Sequence, residues 1–219
     1  MGQSSSERVD LVVRTIAETA VENEKYFGDL DAVVGDGDFG YSLARGFELV
    51  VADFDTFDRT DIGAFLKKIA VVITSRVGGT SGPIWGTAFL RAGVASTGKT
   101  ELTSEDAIAM LRASIEGIKQ RGNSDLGDKT LLDALVPAVD ELEKAMGEGD
   151  DGAACLRRAA VVAREQAEAT RPMIAKRGRA AYTGERSIGT LDAGAVAIAV
   201  MFERLAEAWA ADDAEKGES

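Results

Sequence analysis

Asp61-Ile62-Gly63-Ala64-Phe65-Leu66-Lys67-Lys68-Ile69-Ala70-Val71-Val72-Ile73-Thr74-Ser75 is the stretch on which the fold class turns. Its end, Ala70-Val71-Val72-Ile73-Thr74, is β-branched and by propensity suits a strand. Its apolar spacing does not: Phe65, Leu66, Ile69 and Val72 recur at helical intervals. No partner strand exists elsewhere, so the stretch is expected to be helical. Outward from it the same pattern repeats. Alanine is abundant, proline occurs 3 times in 219 residues, and few stretches alternate at period two. Eight helices are expected. The first follows the Ser4-Ser5-Ser6 cap and runs to about Tyr26, with Val9, Val12, Val13, Ile16 and Ala20 on one stripe. The others cover about 40–53, 61–75, 82–93, 104–122, 128–146, 153–174 and 192–211. An acidic tail, residues 212–219, is expected to fray. There is no composition break or Pro-rich linker, so residues 1–219 are expected to form one all-α domain.

Seven connections join eight helices. Residues 28–39, 77–82, 122–130 and 175–191 are rich in glycine and functional groups. The stretches near residues 56–61, 96–103 and 147–152 are plain polar connectors. The rich connections are the first, third, fifth and seventh. In an up-and-down bundle odd-numbered connections share one end. Counting helices therefore gathers the unusual loops on one rim.

Composition removes several function classes. Lys and Arg number 25 against 37 Asp and Glu, a net charge of −12, which argues against nucleic acid as a partner. No apolar run approaches a membrane span, and the N-terminus lacks signal-peptide character. Met1-Gly2-Gln3-Ser4-Ser5-Ser6 fits the N-myristoylation pattern, but matches this short arise easily. A single Cys155 fits a reducing cytoplasm. Histidine is absent, which excludes His bases, His metal ligands and phosphohistidine. Carboxylates, backbone amides, Arg, Lys and hydroxyls remain.

Asp31-Ala32-Val33-Val34-Gly35-Asp36-Gly37-Asp38-Phe39 holds three carboxylates that repel unless a cation lies between them. All-oxygen ligands point to Mg²⁺ before Ca²⁺. An EF-hand fails, because the twelfth position from Asp36 is Phe47. The plainer alternative is a solvated acidic turn. Gly78-Gly79-Thr80-Ser81-Gly82-Pro83 opens a helix and suits a phosphate, or is an ordinary turn. Lys176, Arg177, Arg179 and Arg186 suit phosphate oxygens, or balance surface charge. On one rim these features describe a magnesium–nucleoside phosphate site. Gly93-Val94-Ala95-Ser96-Thr97-Gly98-Lys99-Thr100 satisfies the P-loop pattern. It follows a helix end rather than a strand, precedes a loop and falls on the bland rim, so it is expected to be a decoy. Cys155 is expected to pack between helices, and Trp85 and Trp209 to be core or interface residues.

Gly35-Asp36-Gly37-Asp38, Gly78-Gly79-Thr80-Ser81-Gly82-Pro83, Gly127-Asp128-Lys129-Thr130 with Asp133-Ala134-Leu135-Val136-Pro137, and Gly178-Arg179-Ala180 with Gly184-Glu185-Arg186-Ser187-Ile188-Gly189 resemble the nucleotide-binding L subunit of dihydroxyacetone kinases. The likeness is collinear from about Asp31 to Gly194. It implies an up-and-down barrel of eight antiparallel helices with the nucleotide site at one rim. It implies Mg²⁺, as two ions, on Asp31, Asp36 and Asp38. It implies ADP or ATP contacts at Phe39, Gly40, Tyr41, Ser42, Thr80, Ser81, Gly122, Leu131, Arg179, Asp192, Ala193 and Gly194. Phe39 stands where relatives commonly carry His or Cys, and Ala193 where Pro is common. The resemblance further implies a separate K-type subunit that holds a short ketose through a histidine, so this chain is expected to be half of a kinase. The donor stays open between exchanging ATP and a retained ADP rephosphorylated by a phosphocarrier of the phosphoenolpyruvate-dependent system. A homodimer also stays open. Two alternatives are a stand-alone metal-dependent nucleotidase and a non-catalytic nucleotide sensor.

Overall fold

The computed structural model describes residues 4–217. Met1, Gly2 and Gln3 of the acylation pattern, and Glu218 and Ser219 of the tail, lie outside the described residues. Among the described residues there are nine α-helices and no strand: α1 (Ser5–Glu22), α2 (Glu24–Asp31), α3 (Phe39–Ala52), α4 (Ile62–Arg76), α5 (Ser81–Ala95), α6 (Ser104–Gly122), α7 (Leu132–Glu148), α8 (Gly152–Ala169) and α9 (Ala193–Gly217). Short 3₁₀ segments cover Phe54–Thr56 and Arg179–Ser187. In α4 the β-branched run is resolved by burial. Ala70 and Ile73 face the core, whereas Val71 is 61% exposed. On a strand Val71 and Ile73 would share a face. The Thr74 hydroxyl donates to the Ala70 carbonyl at 2.7 Å, as helical i, i−4 geometry allows.

The eight long helices close on themselves. α1 packs on α3, each later helix packs on the next through α8 and α9, and α9 returns to α1. Phe27, Leu43, Phe47, Ile69, Leu132, Val139 and Val196 are fully buried in the shared core. Phe47 meets Trp85 and Phe89 edge-on, with ring centroids 6.2 and 6.1 Å away. Closure is fastened on the outside by Arg8 of α1, whose guanidinium lies 4.0 Å over the Trp209 ring of α9 and pairs with Asp212 and Asp213. Trp209 thus joins two helices, and Cys155 is buried.

Several expected boundaries need correction. The first helix breaks at Asn23, and a ninth helix, α2, takes in Gly28 and Asp31, so the acidic loop is shorter than expected. α7 begins at Leu132 rather than near 128, because Asp133 accepts the N–H groups of Gly127 (2.5 Å) and Thr130 (2.7 Å) and folds the preceding residues into a turn. α8 stops at Ala169 rather than near 174, where Thr170 turns its hydroxyl back onto the Ala167 carbonyl. α9 continues through the acidic segment to Gly217, since Arg8 and Lys216 offset its charge.

The two rims differ chemically. Across one, the Ile62 N–H bonds the Lys99 carbonyl, and Ser5 bonds Glu101 and Leu102. The helices that start there close their own ends: Ser4 caps α1, Asp61 caps α4, Thr103 caps α6 and Asp151 caps α8. α3, α5, α7 and α9 start at the opposite rim. There neither Asp38 nor Thr80 places a side-chain cap on α3 or α5. The first-turn N–H groups of a helix have no partner within the helix, and of these the Phe39 N–H lies 3.4 Å from Asp31 Oδ2.

Candidate functional site

At the second rim, α2 ends on Asp31 and a seven-residue turn leads into α3. Asp31 Oδ2 accepts the N–H of Gly37 at 2.9 Å and lies 3.4 Å from that of Phe39, which bends the turn around its carboxylate. Gly37 sits at φ 76°, a conformation that favours glycine. Gly40, in the first turn of α3, rests against α2 so closely that a Cβ there would lie 2.0 Å from the Glu24 carbonyl oxygen. Its smallness lets α2 and α3 converge. As a result Asp31, Asp36 and Asp38 each offer an oxygen within 4.8 Å of the others. Burial, and then the nearby Asp36, push the Asp38 carboxyl above its ordinary range, while Arg179 pulls the other way.

Arg179 arrives from the last rich loop and meets Asp36 at 2.5 Å and Asp38 at 3.8 Å. A positive charge thus already stands beside two of the three carboxylates. Oxygen-only donors, close convergence and an intramolecular counter-cation fit a hard divalent ion.

The remaining expected residues lie at helix ends of the same rim. The Ser42 hydroxyl lies 3.8 Å from where a side chain at Gly78 would begin, so the first turn of α3 adjoins the loop of residues 77–82. Thr80 is exposed and Ser81 half-buried at the start of α5. Gly122 ends α6 beside Ile84, one turn into α5. Leu131 and Gly194 abut, which joins the starts of α7 and α9. Asp192 Oδ2 accepts the Ala195 N–H at 2.7 Å and caps α9, leaving Ala193 in its first turn. Burial pushes the Asp192 carboxyl up to about 7, opposed by the Ala195 N–H and Lys129. Tyr41 is 58% exposed, with the Arg45 guanidinium 5.2 Å from its ring centroid. Phe39 is partly buried, its ring 6.2 Å from that of Phe27. An aromatic there extends the core.

Of the four basic residues in the last rich loop, three make ion pairs, Arg179 with Asp36 and Asp38 as above. Lys176 and Arg177 pair with Asp128 at 3.4 and 3.0 Å, which ties this loop to the turn before α7. Burial works against the Asp128 charge, but the Asp125 N–H, Arg177 and Lys176 outweigh it and hold the carboxyl below its usual range. Arg186 is exposed and, among the described residues, makes no ion pair. Asp128, Lys129 and Asp133 lie within the motif at residues 127–137, where sequence alone marks no task for them. Their burial, at 8, 3 and 4% exposure, is the signal, and only tertiary structure reveals it. Lys99 pairs with Asp106 at 3.0 Å on the opposite rim, far from the aspartates.

A family profile described as "DAK2 domain" matches residues 33–207. The chain belongs to the DAK2-domain family. It is 37% identical over 206 residues to the PEP-dependent dihydroxyacetone kinase, ADP-binding subunit DhaL, of Escherichia coli, covering 94% of this chain and 98% of that one. It is also 37% identical over 199 residues to the L-erythrulose 1-kinase of Mycolicibacterium smegmatis, covering 90% of this chain but 34% of that longer protein. Among solved structures, the dihydroxyacetone kinase of C. freundii in complex with AMP-PNP and Mg²⁺ superposes with a TM-score of 0.70 at 26% identity, over 94% of this DAK2 chain and 35% of that one. Among the described residues no helix is long and apolar enough to cross a membrane.

Proposed function

We propose that this chain is the ADP- or ATP-binding, Mg²⁺-dependent phosphoryl-transfer subunit of a short-ketose kinase, with dihydroxyacetone as the leading substrate class. It would act with a separate K-type subunit that holds the ketose. The observation that carries the reading is the asymmetry of the barrel. One rim caps its own helix ends, while the other leaves α3 and α5 uncapped beside three convergent carboxylates and an arginine. Free N–H groups at helix starts favour phosphate oxygens. The whole-length likeness to DhaL subunits supports the same reading.

Each group then has a task. Asp31, Asp36 and Asp38 would hold Mg²⁺, which neutralises phosphate charge and orients the transferred group when bound. The amides at the start of α5, with the Thr80 and Ser81 hydroxyls, would bind phosphate oxygens. Arg179 would turn from the aspartates to the phosphates, where its planar fork suits two oxygens. Leu131 and Gly194, with the end of α6 at Gly122, would form the wall for the nucleoside. Retained ADP would mark a subunit recharged by a phosphocarrier, and a freely exchanging site would mark direct use of ATP.

Native mass spectrometry of the purified chain tests this, followed by calorimetric titration of Mg²⁺–ADP into protein freed of nucleotide. One nucleotide per chain, bound only when Mg²⁺ is present, is the expected result. Absence of nucleotide binding in Mg²⁺ would overturn it.

A further inference from the structure

We infer that Lys129 is a positioning residue of the nucleotide rim: its buried ammonium fastens both ends of the loop that carries Arg179 and so fixes where that guanidinium stands. Lys129 is 3% exposed, and its backbone is left-handed at φ 60°. Only a few per cent of residues other than glycine adopt that conformation, and it is strained. A strained backbone holding a buried cation needs a compensating structure. Nζ supplies it by donating to the Met173 carbonyl at 3.1 Å, the Ser187 carbonyl at 2.5 Å and the Thr190 carbonyl at 2.8 Å, with the Thr190 hydroxyl at 3.3 Å. Met173 precedes the Arg179–Ser187 segment, and Ser187 and Thr190 end and follow it. One ammonium therefore gathers both legs of the loop.

The rest of the loop is built around this knot. The Lys176 N–H donates to the Asp128 carbonyl at 3.0 Å, and the Ser187 hydroxyl accepts the Ala175 N–H at 2.9 Å while donating to the Gly184 carbonyl. The Lys129 donors go to carbonyl and hydroxyl oxygens of this one loop. Removing the cation would leave those carbonyls short of a donor in a buried place. At the free edge, the ion pairs of Arg179 are with Asp36 and Asp38 across the rim. Its position is thus decided by those aspartates and by how the loop is held, and Lys129 holds the loop.

The functional half of this inference rests on the reading of Arg179 as a nucleotide-site residue, and the experiment separates the two. Hydrogen exchange is measured on the full chain carrying Lys129→Met, or Lys129→Gln, whose amide still donates, should the first variant not fold. Amides of residues 179–189 should exchange about tenfold faster while those of α4 and α6 keep their protection. Unchanged exchange in the loop would overturn the inference. Mg²⁺–ADP affinity is then measured for Lys129→Met alone and in an Arg179→Ala background. About tenfold weakening in the first and no further loss in the second is the signature of a residue acting through Arg179. An equal loss in both backgrounds would reduce Lys129 to a general stabiliser and overturn its positioning role. If Arg179→Ala by itself leaves affinity untouched, the reading of Arg179 fails, and loop exchange alone decides whether Lys129 fastens the loop.

Discussion

Asp38 sits where two demands conflict. Burial and Asp36 disfavour its charge, yet a divalent cation needs that charge. Asp36→Asn or Asp38→Asn should therefore weaken Mg²⁺–ADP binding about a hundredfold or more, since each removes a full charge facing a dication. For Asp38→Asn, melting temperature without ligand should hold or rise, because neutralising the group relieves carboxylate repulsion. Calorimetry showing unchanged affinity in Mg²⁺ would remove Asp38 from the metal set. Asp192 gives a pH test of a different kind. Its folded pKa, about 7, lies above the ordinary carboxylate value near 4. The stability it contributes is full below about pH 4 and is lost as pH rises through 7. Asp192→Asn keeps the α9 cap but cannot ionise. The variant should match the wild type near pH 4 and exceed it by on the order of 1 kcal/mol at pH 8, read from denaturant unfolding at both pH values. A stability difference that does not change with pH would remove burial as the cause.

Elements show what a sequence can and cannot announce. The eight long helices were legible because Phe65, Leu66 and Ile69 keep helical spacing even where the following residues favour strands. The rim followed from counting connections. α2 was not legible: the break at Asn23 is one residue long, and the chain on both sides of it is helical. The tasks of Asp128 and Lys129 were hidden for another reason. A charged residue reads as a surface residue until a loop from far along the chain folds over it, and Lys129 meets partners 44 to 61 residues away. The Arg177 pairing is equally invisible in sequence, since its partner Asp128 lies 49 residues earlier. The glycine-rich octet 93–100 posed the opposite problem, a strong pattern in the wrong place. It ends α5 and enters a turn, where Lys99 pairs with Asp106 and its carbonyl accepts the Ile62 N–H. Lys99→Ala should leave Mg²⁺–ADP affinity within about twofold. A tenfold loss, about 1.4 kcal/mol, would put phosphate at the wrong end of the barrel.

At the scale of the whole molecule the site is one-sided. Phosphoryl transfer is mostly positioning and charge neutralisation, and the acceptor oxygen must lie in line with the transferred group. The rim offers carboxylates, helix amides and Arg179, all suited to the donor. It offers no histidine to fix a ketose carbonyl, because the 219 residues contain none. Tyr182 on the Arg179 loop is 91% exposed, Val33 on the acidic turn is 65% exposed, and Arg186 is exposed with no ion pair among the described residues. Apolar groups exposed singly are ordinary on a protein surface, but a partner that covered this rim would meet these residues. The chain alone, given ATP and Mg²⁺, should show negligible phosphorylation of dihydroxyacetone. A K-type partner should restore transfer, with a phosphocarrier also required if bound ADP does not exchange. Arg186→Glu then assigns the free guanidinium. Loss of partner affinity with nucleotide affinity intact places it at the protein interface, whereas loss of Mg²⁺–ADP affinity places it on the phosphates. Charge reversal at an interface should cost about tenfold or more in association and grow at low salt, because steering between charged surfaces is screened by ions. Robust turnover of the ketose by the isolated chain would end the half-kinase reading, for it would mean that this rim holds the acceptor as well as the donor.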